Sequence, residues 1–422
     1  TTFPTTAGAY HTCTILENSS VKCWGKNDSG QLGLGDTNSR GDGANEMGAN
    51  LSSVDLGTGR TAKAIAANRV ATCAILDNSS IKCWGKNDRG QLGQGNTNSL
   101  GDAGSEMGDN LPSIDLGTGR TVTAIAGGGW HNCAILDNSS IKCWGINSAG
   151  QLGIGSTDDR GDGANEMGDN LPSIDLGTGR TATAIAAGGA HSCAILDNSA
   201  VKCWGKNDAG QLGLGDTNNR GDGANEMGDD LDAVDLGTGR TAVSITAGYA
   251  HTCALLNNYS VKCWGDAAEG QMGTGKTFDL GDAAGEMGDS LTAIDLGTGR
   301  TATAISAGRS HTCAMLDNSS IKCWGSNDSG QLGLGDTSNR GNTVQGDGSS
   351  QMGDNLPSID LGTGRTARGV ITGEGLHTCA IMDNSSIKCW GSNDSGQLGL
   401  GDTDSRGDGA NEMGDNLPSI SY

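Results

Sequence analysis

Three groups of residues have the types and spacings that chemistry requires. Fourteen cysteines fall into seven pairs, each ten positions apart: Cys13 with Cys23, Cys73 with Cys83, Cys133 with Cys143, Cys193 with Cys203, Cys253 with Cys263, Cys313 with Cys323, and Cys379 with Cys389. Each pair sits in a copy of one phrase, of which "HTCTILENSSVKCWG" (11–25) is the first. Thiols paired at one repeated spacing point to disulfides. Zinc fits poorly, because Cys-x9-Cys is not a ligand spacing and a repeat offers at most one histidine. Those histidines form the second group: His11, His131, His191, His251, His311 and His377, with Ala71 at the same position of the second copy. A ring of imidazoles suits a metal, and a histidine at a strand entry equally suits tying down a loop. Catalysis needs one asymmetric pocket, and near-identical repeats supply none, so no catalytic residue is expected. The third group is acidic. Asp222, Glu226 and Asp229, with their equivalents Asp162, Glu166 and Asp169, are oxygen ligands of the kind calcium takes. The same residues suit capping of turn backbones. No other cofactor is expected.

These residues need a scaffold that repeats as they do. The cysteine steps are 60 residues five times and then 66, with extra residues around 341–351. Within 171–205, four short runs suit strands: 173–176, 181–186, 191–196 and 201–205. The turn signals "GTGR", "AGGA" and "DNSA" separate them. Four short strands repeated seven times predict an all-β, seven-bladed β-propeller with four antiparallel strands per blade, one domain over 1–422. "DLGTGR" occurs six times, the chain stops at "LPSISY" (417–422), and it begins with "TTFPTTAG" (1–8). Two complementary partial blades predict a ring closed by pairing the C-terminal strand with the N-terminal blade, which leaves no sheet edge open. In the hairpin register Cys193 faces Cys203, and facing positions come close enough for a disulfide.

The net charge of −22 would repel a polyanion, which excludes nucleic acid as a natural partner. No apolar run approaches the length of a membrane span. Seven disulfides predict an oxidising, extracellular setting, and a chain beginning at Thr1 fits a processed protein. "NSS" or "NYS" at predicted hairpin tips marks Asn18, Asn78, Asn138, Asn258, Asn318 and Asn384 as candidate glycosylation acceptors. Asn27, Asn50, Asn327 and Asn393 fit the same pattern. Strand parity puts the "GTGR" and "DNSS" turns on one face, with a ring of Arg60, Arg120, Arg180, Arg240, Arg300 and Arg365. It puts the "AGxxH" turns and the long acidic loops on the other.

The phrase "AGxxHTCAxLDNxxxKCWGxNxxGQLGLGD" resembles the repeat of the regulator of chromosome condensation family, over essentially the whole chain. The resemblance implies a seven-bladed propeller. The paired cysteines and the "GDGANEMGDN" insert look like secreted members of that family. Its members include exchange factors for small GTPases, a plant ultraviolet-B photoreceptor and a secreted β-lactamase inhibitor. The photoreceptor resemblance would require clustered tryptophans in "GWRHT"-like motifs, and only "GGGWHN" (127–132) comes near. The reading that follows is a non-enzymatic extracellular propeller, a structural or interaction module of a cell surface, matrix or appendage. Its partner would be a protein or a surface polymer, with self-assembly a further option. The alternative is a soluble inhibitor or receptor-type binder engaging one partner through one face. There the 341–351 insertion, Trp130, Tyr249, Tyr259 and Phe278 would matter most.

Overall fold

In a computed structural model, residues 5–342 and 351–422 are described; most of the 341–351 insertion therefore lies outside the described residues. Seven three-stranded antiparallel sheets follow one another as blades, each with strand order equal to chain order. In blade 4 the inner, middle and outer strands are Ala182–Ala187, His191–Leu196 and Val201–Gly205. The chain then runs through a long glycine-rich loop with one short 3-10 turn (Gly228–Asp230) before the next blade.

The expected fourth strand is a corrected detail. The segment after each long loop makes a single ladder bond to the outer strand, as from Ile174 N to the Ile141 carbonyl (2.9 Å). Its other polar groups serve the next blade: Asp175 O accepts Gly228 N (3.0 Å), and Leu236 O accepts Lys262 Nζ (3.0 Å). A segment shared between two blades cannot complete a ladder with either.

Ring closure is corrected for the same reason. Ile420 N donates to Ile387 O (2.8 Å), so the C-terminal segment is the edge of blade 7, not of blade 1. No strand pairing joins blades 7 and 1 among the described residues. Loop contacts join them instead, with Gly48 N donating to Ser421 O (3.0 Å) and Gly401 N to Gly41 O (2.9 Å). The same two bonds recur at internal junctions, as Gly108 N to Asp55 O (3.0 Å) and Gly35 N to Gly101 O (3.0 Å).

The core lies between blades. Every "CWG" tryptophan is fully buried, and apolar clusters pair the disulfide of one blade with the tryptophan of the next, as Cys13 and Cys23 with Trp84. The cysteines are joined as their spacing predicts. Cys13 bonds Cys23, Cys73 bonds Cys83, Cys133 bonds Cys143 and Cys193 bonds Cys203 in blades 1 to 4. Cys253 bonds Cys263, Cys313 bonds Cys323 and Cys379 bonds Cys389 in blades 5 to 7. Each bond links directly paired positions of the middle and outer strands, with Cα atoms 4.0–4.1 Å apart. Closing a loop of this size stabilises by about 2–3 kcal/mol in the chain-entropy account. The second glycine of "GQLG" makes the tryptophan seat. A Cβ on Gly33 would come within 2.7 Å of Trp84 Nε1, and its φ of +67° favours glycine besides.

Candidate functional site

Six of the seven interblade junctions share one clasp. Thr72 of blade 2 donates its hydroxyl to the Gln31 carbonyl in the loop of blade 1 (2.9 Å), and Trp84 Nε1 donates to the same carbonyl (3.1 Å). A hydroxyl has one hydrogen, so His11 Nε2 must be the donor in its 2.9 Å bond to Thr72 Oγ1. That assigns the Nε2–H tautomer. The recurring histidines therefore bind the neighbouring blade's hydroxyl, which in turn holds the loop carbonyl: each ring is buried, and among the described residues each Nδ1 has no partner. Burial, with a neighbouring histidine adding to it, pushes the pKa of His11 and His131 down to about 3. The rings are neutral at physiological pH.

The junction between blades 2 and 3 breaks the pattern in three coordinated places. Where His would stand is Ala71; where glycine stands in blades 1, 3, 4, 5 and 6 is Asn68; where the receiving Thr or Ser would stand is Asn132. Asn68 Oδ1 accepts from Ala71 N (2.6 Å), its Nδ2 reaches Asn132 Oδ1 (3.5 Å), and Asn132 Nδ2 donates to the Gln91 carbonyl (2.8 Å). The glycine elsewhere makes room for the imidazole, since a Cβ on Gly8 would lie 2.3 Å from His11 Cε1. Asparagine fits here because the ring is gone.

The acidic residues are divided among local duties. Glu226 accepts Gly221 N (2.9 Å) and Gly223 N (2.7 Å), and Asp229 accepts Thr178 N (2.9 Å) and Thr178 Oγ1 (2.5 Å). Glu166 binds Gly161 N and Gly163 N, and Asp169 binds Thr118 in the same manner. Asp162 lies beside Glu166; burial first, then that neighbour's hydrogen bond, raises its carboxyl above the usual range. Asp222 accepts a long bond from Asn219 (3.4 Å). No group of three or more His, Cys, Asp or Glu converges on one point among the described residues.

The expected face assignment changes in one respect. Arg60 pairs with Asp77 (3.0 Å), placing the "GTGR" and hairpin turns together. The long loops, however, wrap the rim: they leave beside the "AGxxH" turns, where Gly25 pairs with Arg40, and end against "GTGR", where Asp109 holds Thr58. The hairpin-tip asparagines are exposed, and Asn18 Oδ1 accepts from Ser20, leaving the amide nitrogen outward. Asn27, Asn327 and Asn393 are buried. Their amides brace the loop, as Asn27 Nδ2 does at the Asp36 carbonyl (2.7 Å).

The two faces differ in sequence diversity. "GTGR" is identical at all six positions, whereas the "AGxxH" turns, around the mouth of the central channel, differ in every blade. They present Tyr10, Arg69, Trp130, Tyr249, Arg309 and Glu374. Lys86 lies over the Trp130 ring (4.9 Å to its centroid) and Arg309 over the Tyr249 ring (5.4 Å). Tyr249 is 44% exposed. Tyr259 and Phe278 are exposed too, but at a hairpin tip and in a long loop.

Glu374 was missed in the sequence, although arithmetic reveals it. "DLGTGR" steps by 65 residues from 295 to 360, while Cys313 to Cys379 is 66. Five residues of the long step therefore lie in the loop, and the sixth lengthens the blade 7 turn to four residues (373–376) against three elsewhere. Glu374 lines the channel, a cavity of about 280 Å³ walled by the inner strands of all seven blades. Its stem is part-exposed, but both carboxylate oxygens are shut off from solvent and have no hydrogen-bond partner among the described residues. A Cβ on Gly129 would be 3.3 Å from Glu374 Oε2, so the side chain of blade 7 reaches across the mouth to blade 3.

Comparison with known proteins agrees with this architecture. A family profile described as the RCC1-like domain matches residues 3–346, and the regulator of chromosome condensation (RCC1) repeat matches 375–397. The ultraviolet-B receptor UVR8 of Arabidopsis thaliana is 28% identical over 400 residues, covering 94% of this chain and 78% of the receptor. The probable E3 ubiquitin-protein ligase HERC4 of Homo sapiens is 30% identical over 384 residues, 80% of this chain but only 34% of the ligase. Among solved structures, yeast RCC1 (Prp20), crystallised bound to Kap60, superposes with a TM-score of 0.65 at 19% identity, over 88% of this chain and 78% of that one. The CRINKLY WD40 ectodomain of the Arabidopsis thaliana receptor kinase ACR4 gives 0.51 at 16%, over 96% and 97%. Both structural likenesses show the fold alone.

Proposed function

Because the chain belongs to the family of RCC1-like domains, we propose that it is a non-enzymatic extracellular interaction module that engages a protein partner through its channel-mouth face. One observation carries this reading. The seven turns around the mouth share a backbone role yet carry different side chains, while the "GTGR" turns opposite are uniform. A surface that only maintains the fold has no need to differ from blade to blade. Recognition of a partner without sevenfold symmetry does. Aromatic and arginine side chains, the residue types that anchor interfaces, are gathered there.

The extracellular part of the reading rests on seven buried disulfides, which persist in oxidising surroundings. Glycans at Asn18, Asn78, Asn138, Asn258, Asn318 and Asn384 would then cover the hairpin tips and leave the mouth bare. A carboxylate pair such as Asp162 and Glu166 would need further oxygens from outside the chain to reach the about six to eight that calcium takes.

Immobilised protein, incubated with the surface fraction of its source, is expected to retain a protein that Trp130→Ala and Tyr249→Ala release. Arg60→Ala and Arg180→Ala, on the opposite face, should retain it. Loss confined to the arginine variants would overturn the assignment. The uniform "GTGR" face favours a second role, stacking of propellers into a scaffold; filaments or lattices in native material would support it, and a monodisperse monomer would not.

A further inference from the structure

The mouth holds one feature that neither the clasp nor the fold uses: a buried carboxylate with no partner among the described residues, aimed into the channel. We propose that Glu374 and the channel beneath it form a binding site for a primary ammonium group on an aliphatic stem, the side chain of a lysine presented by the partner. The inference rests on the channel-mouth reading above and names the chemistry that face would recognise.

The geometry supports it in four ways. Both Glu374 oxygens are buried and lack donors among the described residues, and an unpaired buried charge is costly until a counter-charge or donor arrives. An ammonium brings three donors and a positive charge. The channel wall is built from the inner strands, and Glu374 is the sole titratable group among its described lining residues; the rest is alanine, isoleucine, glycine and the hydroxyls of Thr6, Thr246, Ser306 and Thr372. Methylenes pack against the alanine and isoleucine side chains, and the hydroxyls of Thr6 and Thr246, which each accept one backbone N–H, keep a second lone pair for the ammonium. A multivalent metal is disfavoured, since one carboxylate stands alone there. The charged groups felt by Glu374 are Arg69 and Arg309; neither forms an ion pair with it among the described residues, and Arg309 is stacked on Tyr249.

A proton linkage follows. Burial pushes the Glu374 pKa up to about 7, against the opposing pull of Arg69 and then Arg309. Ammonium binding requires the ionised form, so binding releases a proton and tightens as pH rises through 7. With a pKa of about 7, the ionised fraction is 10/11 one unit above and 1/11 one unit below, so affinity should change roughly tenfold between those pH values.

The test uses the whole chain and n-butylammonium chloride as the probe, with tetramethylammonium and potassium chlorides as controls. Calorimetric titration and the melting temperature are read one pH unit either side of 7. The expected result is Glu374-dependent binding of n-butylammonium that weakens about tenfold at the lower pH, with no response to tetramethylammonium, which has no N–H. Glu374→Gln, equal in shape and uncharged, should abolish it; Glu374→Asp, which keeps the charge but shortens the reach, should weaken it. Equal responses of the wild type and Glu374→Gln, no response at all, or an equal Glu374-dependent response to potassium would each overturn the site. If n-butylammonium binds as expected while Trp130→Ala and Tyr249→Ala still retain the partner, the site stands and the channel-mouth reading falls.

Discussion

Two of the seven junctions are unusual, in opposite ways. The junction between blades 7 and 1 is where the chain does not continue, yet its clasp is the standard one: Thr12 Oγ1 meets His377 Nε2 (3.0 Å) and donates to the Gln397 carbonyl (3.0 Å), and Trp24 Nε1 donates to that carbonyl (3.0 Å). The junction between blades 2 and 3 lies in unbroken chain, yet its clasp is rebuilt from Asn68 and Asn132. What joins blades is thus a set of side-chain bonds to loop carbonyls, and chain continuity is secondary. The seam does lose its "GTGR" partner. Lys22 binds Gly48 O (2.9 Å), as Lys142 and Lys202 each bind one loop carbonyl at internal junctions, while Lys82 binds both Leu56 O and Gly108 O. Ala49 replaces the aspartate that holds the turn threonine elsewhere. The Ser385 carbonyl, which in other blades accepts a strand N–H, accepts the Tyr422 hydroxyl (3.2 Å).

The largest expected effect is on acid stability, and it separates the six histidine junctions from the asparagine one. A histidine whose pKa is lowered in the fold stabilises fully above its unfolded value of 6.5, and that stability is lost as pH falls toward about 3–4. Each ring contributes up to about 1.4 kcal/mol per pH unit over that window. The melting temperature should therefore fall steadily below pH 6.5, before most carboxylates titrate, while the ring resonances of the folded protein stay neutral in NMR at pH 5. A flat melting temperature between pH 6.5 and 4.5 would refute the buried neutral ring. Next come the disulfides. Replacing Cys379 and Cys389, which pack against Trp24 at the seam, by alanine should cost about 2–3 kcal/mol in chemical denaturation, the same as replacing Cys193 and Cys203; a much smaller cost at the seam would mark it as open.

The rebuilt junction offers a sharper comparison. Asn132→Ala leaves the Gln91 carbonyl short of a donor and Asn68 without its partner, at about 1–3 kcal/mol. Ala71→His alone should destabilise by clash with Asn68, and the triple change Asn68→Gly, Ala71→His, Asn132→Thr should recover the wild-type midpoint. The smallest effect belongs to the opposite face, where Arg180→Ala removes a part-exposed pair with Asp197 and should cost under about 1 kcal/mol.

Much of this was readable from residues. Short strand runs, turn signals and a ten-residue cysteine spacing placed each hairpin and paired Cys193 with Cys203, because facing positions in one register are a local property. The same register carries the other six pairs, from Cys13 with Cys23 to Cys379 with Cys389. Closure was not readable. "LPSISY" looks like half a blade, but whether it belongs to blade 7 or blade 1 depends on which neighbour takes its carbonyls, a tertiary matter. The clasp stayed hidden because its acceptor, the carbonyl of Gln31 and its equivalents, is a backbone atom that no residue type reveals. His11 and Thr72 were visible, but 61 positions apart. Glu374 was visible as a one-residue discrepancy between two repeat counts, and only the ring shows that it spans the channel.

The central claim is that the seam is held as an internal junction is held. Measuring the unfolding free energy of Thr12→Val against Thr252→Val tests it directly, since Thr252 makes the same bonds to His191 and Gln211. Both variants should lose about 1–3 kcal/mol, and by equal amounts. A loss for Thr252→Val with none for Thr12→Val would mean that blades 7 and 1 are not clasped, and the ring would be open there.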